Sequence, residues 1–77
     1  IEEFSETQII VFPNPSRDLI NIACNLRVNA VLYNSTGQLI LEETDVKQLD
    51  LSQFEAGVYN LILIYNNLRF TKKIVKL

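Results

Sequence analysis

Val58-Tyr59-Asn60-Leu61-Ile62-Leu63-Ile64-Tyr65, then Asn66-Asn67, then Leu68-Arg69-Phe70-Thr71-Lys72-Lys73-Ile74-Val75-Lys76-Leu77, is the stretch that decides the fold. The first run is short and rich in β-branched and aromatic residues, which favours a strand over a helix. Asn66-Asn67 suits a two-residue loop, because Asn tolerates positive φ better than most residues. The second run resumes as a strand, so the two arms form an antiparallel hairpin. Apolar residues fill both faces of the first arm, which predicts a central strand covered on both sides. The second arm is the basic one.

Working back from this hairpin, the same rhythm of strand and turn recurs. Gly57 releases the chain into the Val58 strand, and Ser52 to Ala56 form a loop with room for one helical turn. Phe54 in that loop is expected to plug the end of the core. Lys47 to Leu51 reads as a short strand with Leu49 and Leu51 inward. Gln38 to Thr44 and Arg27 to Tyr33 read as two strands joined through Asn34-Ser35-Thr36-Gly37, a type I turn with Gly37 left-handed. Leu19 to Cys24 alternates, with Ile20, Ile22 and Cys24 on one face. Gln8 to Phe12 is the first strand, ended by Pro13-Asn14-Pro15, whose prolines fix φ and remove two backbone donors. The pattern predicts an all-β, immunoglobulin-like β-sandwich of about seven antiparallel strands. The Cys…Trp…Cys signature of antibody domains is absent. Residues 8–77 form the domain, and the acidic residues 1–7 read as a linker remnant.

Composition removes several function classes. The 77 residues contain no His and one Cys, so neither a Ser-His nor a Cys-His nucleophile pair is available. The same shortage argues against zinc, and the acids are too sparse for a calcium loop. Glu42 and Glu43 are neighbours on a strand and point to opposite faces, so they do not converge as a catalytic pair. The expectation is a protein without enzymatic activity, cofactor or metal. Cys24 reads as an inert thiol on an inward face. A net charge of −2 argues against nucleic acid as a partner. No apolar run reaches the ~18 residues of a membrane-spanning helix. The chain opens on Ile1-Glu2-Glu3-Phe4 with neither an initiator Met nor a signal-peptide pattern, and reads as a piece of a larger protein.

The charges are unevenly placed. Arg69, Lys72, Lys73 and Lys76 crowd the C-terminal run, and no acid follows Glu55. Two readings stand: lysines guarding a solvated edge strand against aggregation, or an interaction segment. Tyr33, Tyr59 and Tyr65 likewise read either as packing residues or as a stacking platform for a sugar or a base.

The order of the pieces adds a resemblance. Val11-Phe12-Pro13-Asn14-Pro15-Ser16-Arg17-Asp18-Leu19-Ile20-Asn21-Ile22 opens the fold. Leu32-Tyr33-Asn34-Ser35-Thr36-Gly37-Gln38-Leu39-Ile40 sits at mid-chain. Leu49-Asp50-Leu51-Ser52 and Gly57-Val58-Tyr59 follow, and Thr71-Lys72-Lys73-Ile74-Val75-Lys76-Leu77 closes the series. In this order, over residues 9 to 77, the sequence resembles the type A C-terminal sorting domain of the type IX (Por) secretion system of Bacteroidota.

That resemblance implies a sorting signal that directs a covalently linked N-terminal cargo across the outer membrane. The implied partners are translocon and shuttle proteins of the type IX system and a sortase-like surface protease that usually cleaves the domain off. The implied route is the periplasm in transit, then the cell surface or the medium. By the same resemblance, recognition falls on Lys72, Lys73, Ile74, Val75, Lys76 and Leu77. A terminal edge strand would offer unpaired backbone groups to a receptor. Pro13, Asn14, Pro15, Gly37 and Gly57 are expected to be turns that keep the recognised shape without touching the receptor. Self-pairing through an edge strand, giving a weak homodimer, is a further expectation. The rival reading is an immunoglobulin-like adhesion or carbohydrate-binding module of a secreted multidomain protein.

Overall fold

Two antiparallel sheets face each other in the computed structural model, which describes residues 9–77. The strands are β1 (Ile10–Phe12), β2 (Leu19–Ala23), β3 (Asn29–Asn34), β4 (Leu39–Glu43), β5 (Gln48–Asp50), β6 (Gly57–Tyr65) and β7 (Leu68–Lys76). The smaller sheet has the order β1-β2-β5 and the larger β4-β3-β6-β7. This is the β-sandwich that the alternating runs predict. Gln8 and the linker expected over residues 1–7 lie outside the described residues.

The core forms because alternate residues of each strand point inward. Ile20, Ile22 and Leu49 come from the smaller sheet; Ala30, Leu32, Leu61, Leu63 and Ile74 come from the larger one, and all are buried. Each buried Leu or Ile contributes about 1.5–3 kcal/mol relative to exposure. Strand boundaries differ from the sequence reading where loop hydrogen bonds intervene. β3 starts at Asn29 rather than Arg27, because the Val28 carbonyl accepts from the Val46 N–H at 2.9 Å instead of joining the ladder. Cys24 lies just past β2 and is half-buried rather than fully inward; its Sγ accepts a weak hydrogen bond from the Leu26 N–H at 3.5 Å. Residues 52–56 hold no helix; the Phe54 N–H closes a turn on Leu51 O at 3.0 Å. Phe54 packs against the core as expected, its ring centroid 6.4 Å from that of Tyr59.

β6 is central but not covered on both faces. Tyr59, Leu61 and Leu63 are buried, whereas Asn60, Ile62 and Ile64 on the other face are only half-buried. A run that is apolar on both faces is fully enclosed when helices cover a parallel sheet. Here the ladder is antiparallel throughout, and among the described residues no third layer covers the outer face.

The turns carry the backbone strain. Gly37 has φ +90° and Gly57 φ +152°, as glycine permits, and Asn66 has φ +54° in the β6–β7 loop. The β3–β4 hairpin is organised by Asn34. Its Oδ1 accepts from the N–H groups of Thr36 and Gln38 at 3.1 and 2.9 Å, and its carbonyl accepts from the Gly37 N–H at 3.0 Å.

Candidate functional site

β7 carries all the residues expected to be recognised except Leu77, which follows directly. Its register with β6 runs unbroken from Tyr65↔Leu68 to Gly57↔Lys76. Alternation then sorts the side chains. Ile74 faces its buried neighbour Tyr59 and is itself fully buried. Phe70 and Lys72 share that inward face and are half-buried. Arg69, Thr71 and Lys73 take the outer face and are exposed, with Val75 half-buried beyond them. Lys76 is half-buried, and its Nζ donates to Leu77 O at 3.3 Å. Lys73 is presented to solvent, while Lys72 lies along the core side.

The other edge of β7 is where the structure corrects the sequence. That edge is not open along its C-terminal half. The Pro13-Asn14-Pro15-Ser16 segment leaves β1, crosses from the smaller sheet to the larger, and lies against β7. Both X-Pro bonds are cis. Asn14 Nδ2 donates to Lys73 O at 2.8 Å, and Asn14 Oδ1 accepts from the Val75 N–H at 3.0 Å. The Ser16 N–H donates to Val75 O at 2.9 Å, and the Leu77 N–H donates to Ser16 O at 2.8 Å. Ser16 and Lys76 thereby form a parallel bridge.

The physical reason is a shortage of local partners. Proline offers no N–H, so Asn14 supplies a side-chain amide that imitates a peptide group. Ser16 is the one buried polar residue among those described; its Oγ donates to Leu19 O at 2.7 Å. Reading the sequence singled out Pro13, Asn14 and Pro15 as a turn and took Ser16 only as part of its completion, with no contact to β7. No local signal could have found it, since its β7 partners lie at the other end of the chain.

The remaining turn residues fall at different places. Gly57 starts β6 directly opposite Lys76, so it bounds the same strand end from the other side. Gly37 sits in the β3–β4 hairpin. An added Cβ would meet nothing within 4 Å at either glycine, so their requirement is conformational rather than steric.

The charges of the larger sheet are polarised. β7 brings Arg69, Lys72, Lys73 and Lys76 to one edge, and β4 brings Glu42 and Glu43 to the other. The three tyrosines do not make a platform. Tyr33 pairs with Asn60, so it faces opposite to Tyr59, which is buried and donates its hydroxyl to Glu55 O at 2.6 Å. Tyr65 lies six residues from Tyr59, at the far end of β6. Open depressions lie among the described residues. One, of about 390 Å³, is lined by Asn34, Ile40, Phe54, Gly57 and Tyr59. Another, of about 240 Å³, lies on the outer face of the larger sheet between Val31, Tyr33, Ile62, Ile64 and Arg69. Among the described residues no three His, Cys, Asp or Glu side chains gather to hold a metal ion.

No curated protein matches the sequence. Residues 10–77 match a family described as the secretion system C-terminal sorting domain, a match that includes the Pro13-Asn14-Pro15-Ser16 strap along β7, the hairpin turns and the whole of β7. The chain belongs to this family of type IX secretion C-terminal sorting domains.

Proposed function

We propose that this domain is an address read by the type IX translocon, carrying an N-terminally linked cargo from the periplasm across the outer membrane. A sortase-like protease at the cell surface then removes the domain, and the cargo is anchored or released. The reading places recognition on Lys72 to Leu77, with Pro13, Asn14, Pro15, Gly37 and Gly57 preserving their shape. Membership of the family supports export to the cell surface or medium through the type IX machinery.

The observation that carries the reading is the bracing of β7 from both sides. β6 holds one edge and the Asn14–Ser16 strap holds the other, so the C-terminal residues form a fixed feature rather than a fraying end. Terminal residues are poorly ordered unless tied down. A signal that must be recognised in its folded form gains from such bracing, because less order has to be imposed on binding.

The test is export of a periplasmic reporter carrying residues 1–77 at its C-terminus in a type IX-competent cell. The expected result is reporter at the surface or in the medium. A folded fusion that stays in the periplasm would overturn the reading.

A further inference from the structure

The strap divides the outer edge of β7 into two halves. Lys73 O, both backbone groups of Val75, and the Leu77 N–H are taken by Asn14 and Ser16. Backbone direction alternates with a period of two, and the register with β6 shows no shift along β7. The N–H and C=O groups of Arg69 and Thr71 and the N–H of Lys73 therefore point the same way, out of the sheet. Among the described residues these groups have no hydrogen-bond partner. The open half is flanked by exposed side chains of one character: Arg69 and Lys73 stand on the same face with Thr71 between them.

We propose that Arg69–Lys73 is the docking edge, where an extended acidic segment of a translocon partner adds as a fifth strand to the larger sheet. The strap keeps that partner off the backbone of Val75 to Leu77. This rests on the sorting-signal reading and narrows it: main-chain contact moves to Arg69, Thr71 and Lys73, while the backbone of Val75 to Leu77 serves to hold the strap. Strand addition takes its affinity from main-chain hydrogen bonds and its selectivity from alternate side chains. Arg69 and Lys73 are four residues apart on one face, about 13 Å along the strand. The partner segment therefore carries two acids at positions i and i+4.

A second copy of the chain does not fit. Antiparallel pairing of two β7 edges would set Arg69 and Lys73 against the same residues of the other copy, and like charges across strands destabilise. The acidic β4 edge does not fit either, since Glu42 and Glu43 are adjacent and fall on opposite faces.

Thr71→Pro tests the proposal in the reporter fusion. The Thr71 N–H faces away from β6, so proline removes an outward donor and leaves the β6–β7 ladder intact. Thr71→Ala keeps the donor. Surface reporter should fall about tenfold for Thr71→Pro, the equivalent of one hydrogen bond lost from a dry interface, and stay at wild-type level for Thr71→Ala. Should Thr71→Pro unfold the domain, by its melting temperature, the double variant Arg69→Glu/Lys73→Glu decides; both side chains are exposed, and a loss of similar size is expected. Wild-type export by a folded Thr71→Pro or by the double variant overturns the proposal and leaves the sorting reading standing. Failure of the wild-type fusion to be exported removes both. A concentration-dependent dimer that Thr71→Pro abolishes would assign the edge to a second copy and overturn the acidic partner.

Discussion

Asn14 Oδ1 accepts a hydrogen bond from the Val75 N–H at 3.0 Å, and the same side-chain amide donates to the carbonyl of the residue two before, Lys73, at 2.8 Å. One side chain thus makes the pair of bonds that a neighbouring strand would make. This links the Pro-Asn-Pro motif to the C-terminal strand and gives two separate sequence motifs one structural purpose.

Asn14→Ala removes both bonds without touching the core. At about 0.5–1.5 kcal/mol per bond, and toward the low end for exposed groups, the expected cost is about 1–2 kcal/mol. For a domain of this size that lowers the melting temperature by roughly 4–16 °C. The more local readout is amide exchange: the Val75 N–H should exchange faster in the variant. Asn14→Asp should rescue in part, because a carboxylate still accepts from the Val75 N–H but cannot donate to Lys73 O. An unchanged Val75 exchange rate in Asn14→Ala would show that the strap does not hold the edge in solution.

Gly57 is the more demanding of the two turn glycines. Its φ of +152° is closed to L-residues, and open space around it means that the cost of a side chain is purely conformational. Gly57→Ala should destabilise by about 1–3 kcal/mol. Gly37→Asn should cost less than Gly37→Ala, because Asn visits the left-handed region more readily. Urea unfolding of the three variants checks the order.

The reach of each signal explains what was legible beforehand. Strand identity follows from local alternation, so the inward residues Ile20, Ile22, Leu49 and Leu51 could be read directly. Turn chemistry is local too, which is why Gly37, Gly57 and Asn66 fall where expected. The strap was not legible, because Asn14 and Ser16 meet β7 only after the chain has switched sheets. The half-open face of β6 was misread for a related reason. An apolar pattern records which residues could be buried; it does not record whether a second layer exists to bury them, as Ile62 and Ile64 show.

Asp50 gives a pH dependence of definite sign. Its Oδ1 accepts from the Ser52 N–H at 2.9 Å, and hydrogen bonds from the Ser52 side chain and then its backbone hold the carboxyl below its ordinary value of 3.8. The folded state therefore binds this proton less readily than the unfolded chain. The contribution is fully present above pH 3.8 and is lost as the pH falls through the lower folded value. Asp50→Asn keeps an acceptor oxygen but removes the titration. Its melting temperature should fall less steeply than that of the wild type below pH 3.8. Parallel acid limbs would show that the Ser52 contacts do not form in solution.

Ile74 is buried and its neighbour Lys73 is exposed, and this bears on how the C-terminal strand can be tested. Deleting Lys72 to Leu77 would remove a fully buried Ile74 together with every backbone partner of the strap on β7, Lys73 O included. Lost export after that deletion would not separate unfolding from a lost contact. A graded series does. Ile74→Val should cost about 0.5–1.5 kcal/mol and Ile74→Ala about 2–5 kcal/mol. The larger loss is a serious fraction of the roughly 4–11 kcal/mol available to a domain of this length. Lys73→Glu, at an exposed position, should change stability by no more than about 0.5 kcal/mol. Export plotted against melting temperature should then place both Ile74 variants on one line, because they act through the fold. Lys73→Glu should fall well below that line if β7 docks as proposed, since it keeps the fold and reverses a charge on the proposed docking edge. If Lys73→Glu lies on the line with the others, β7 matters to export only as a structural strand.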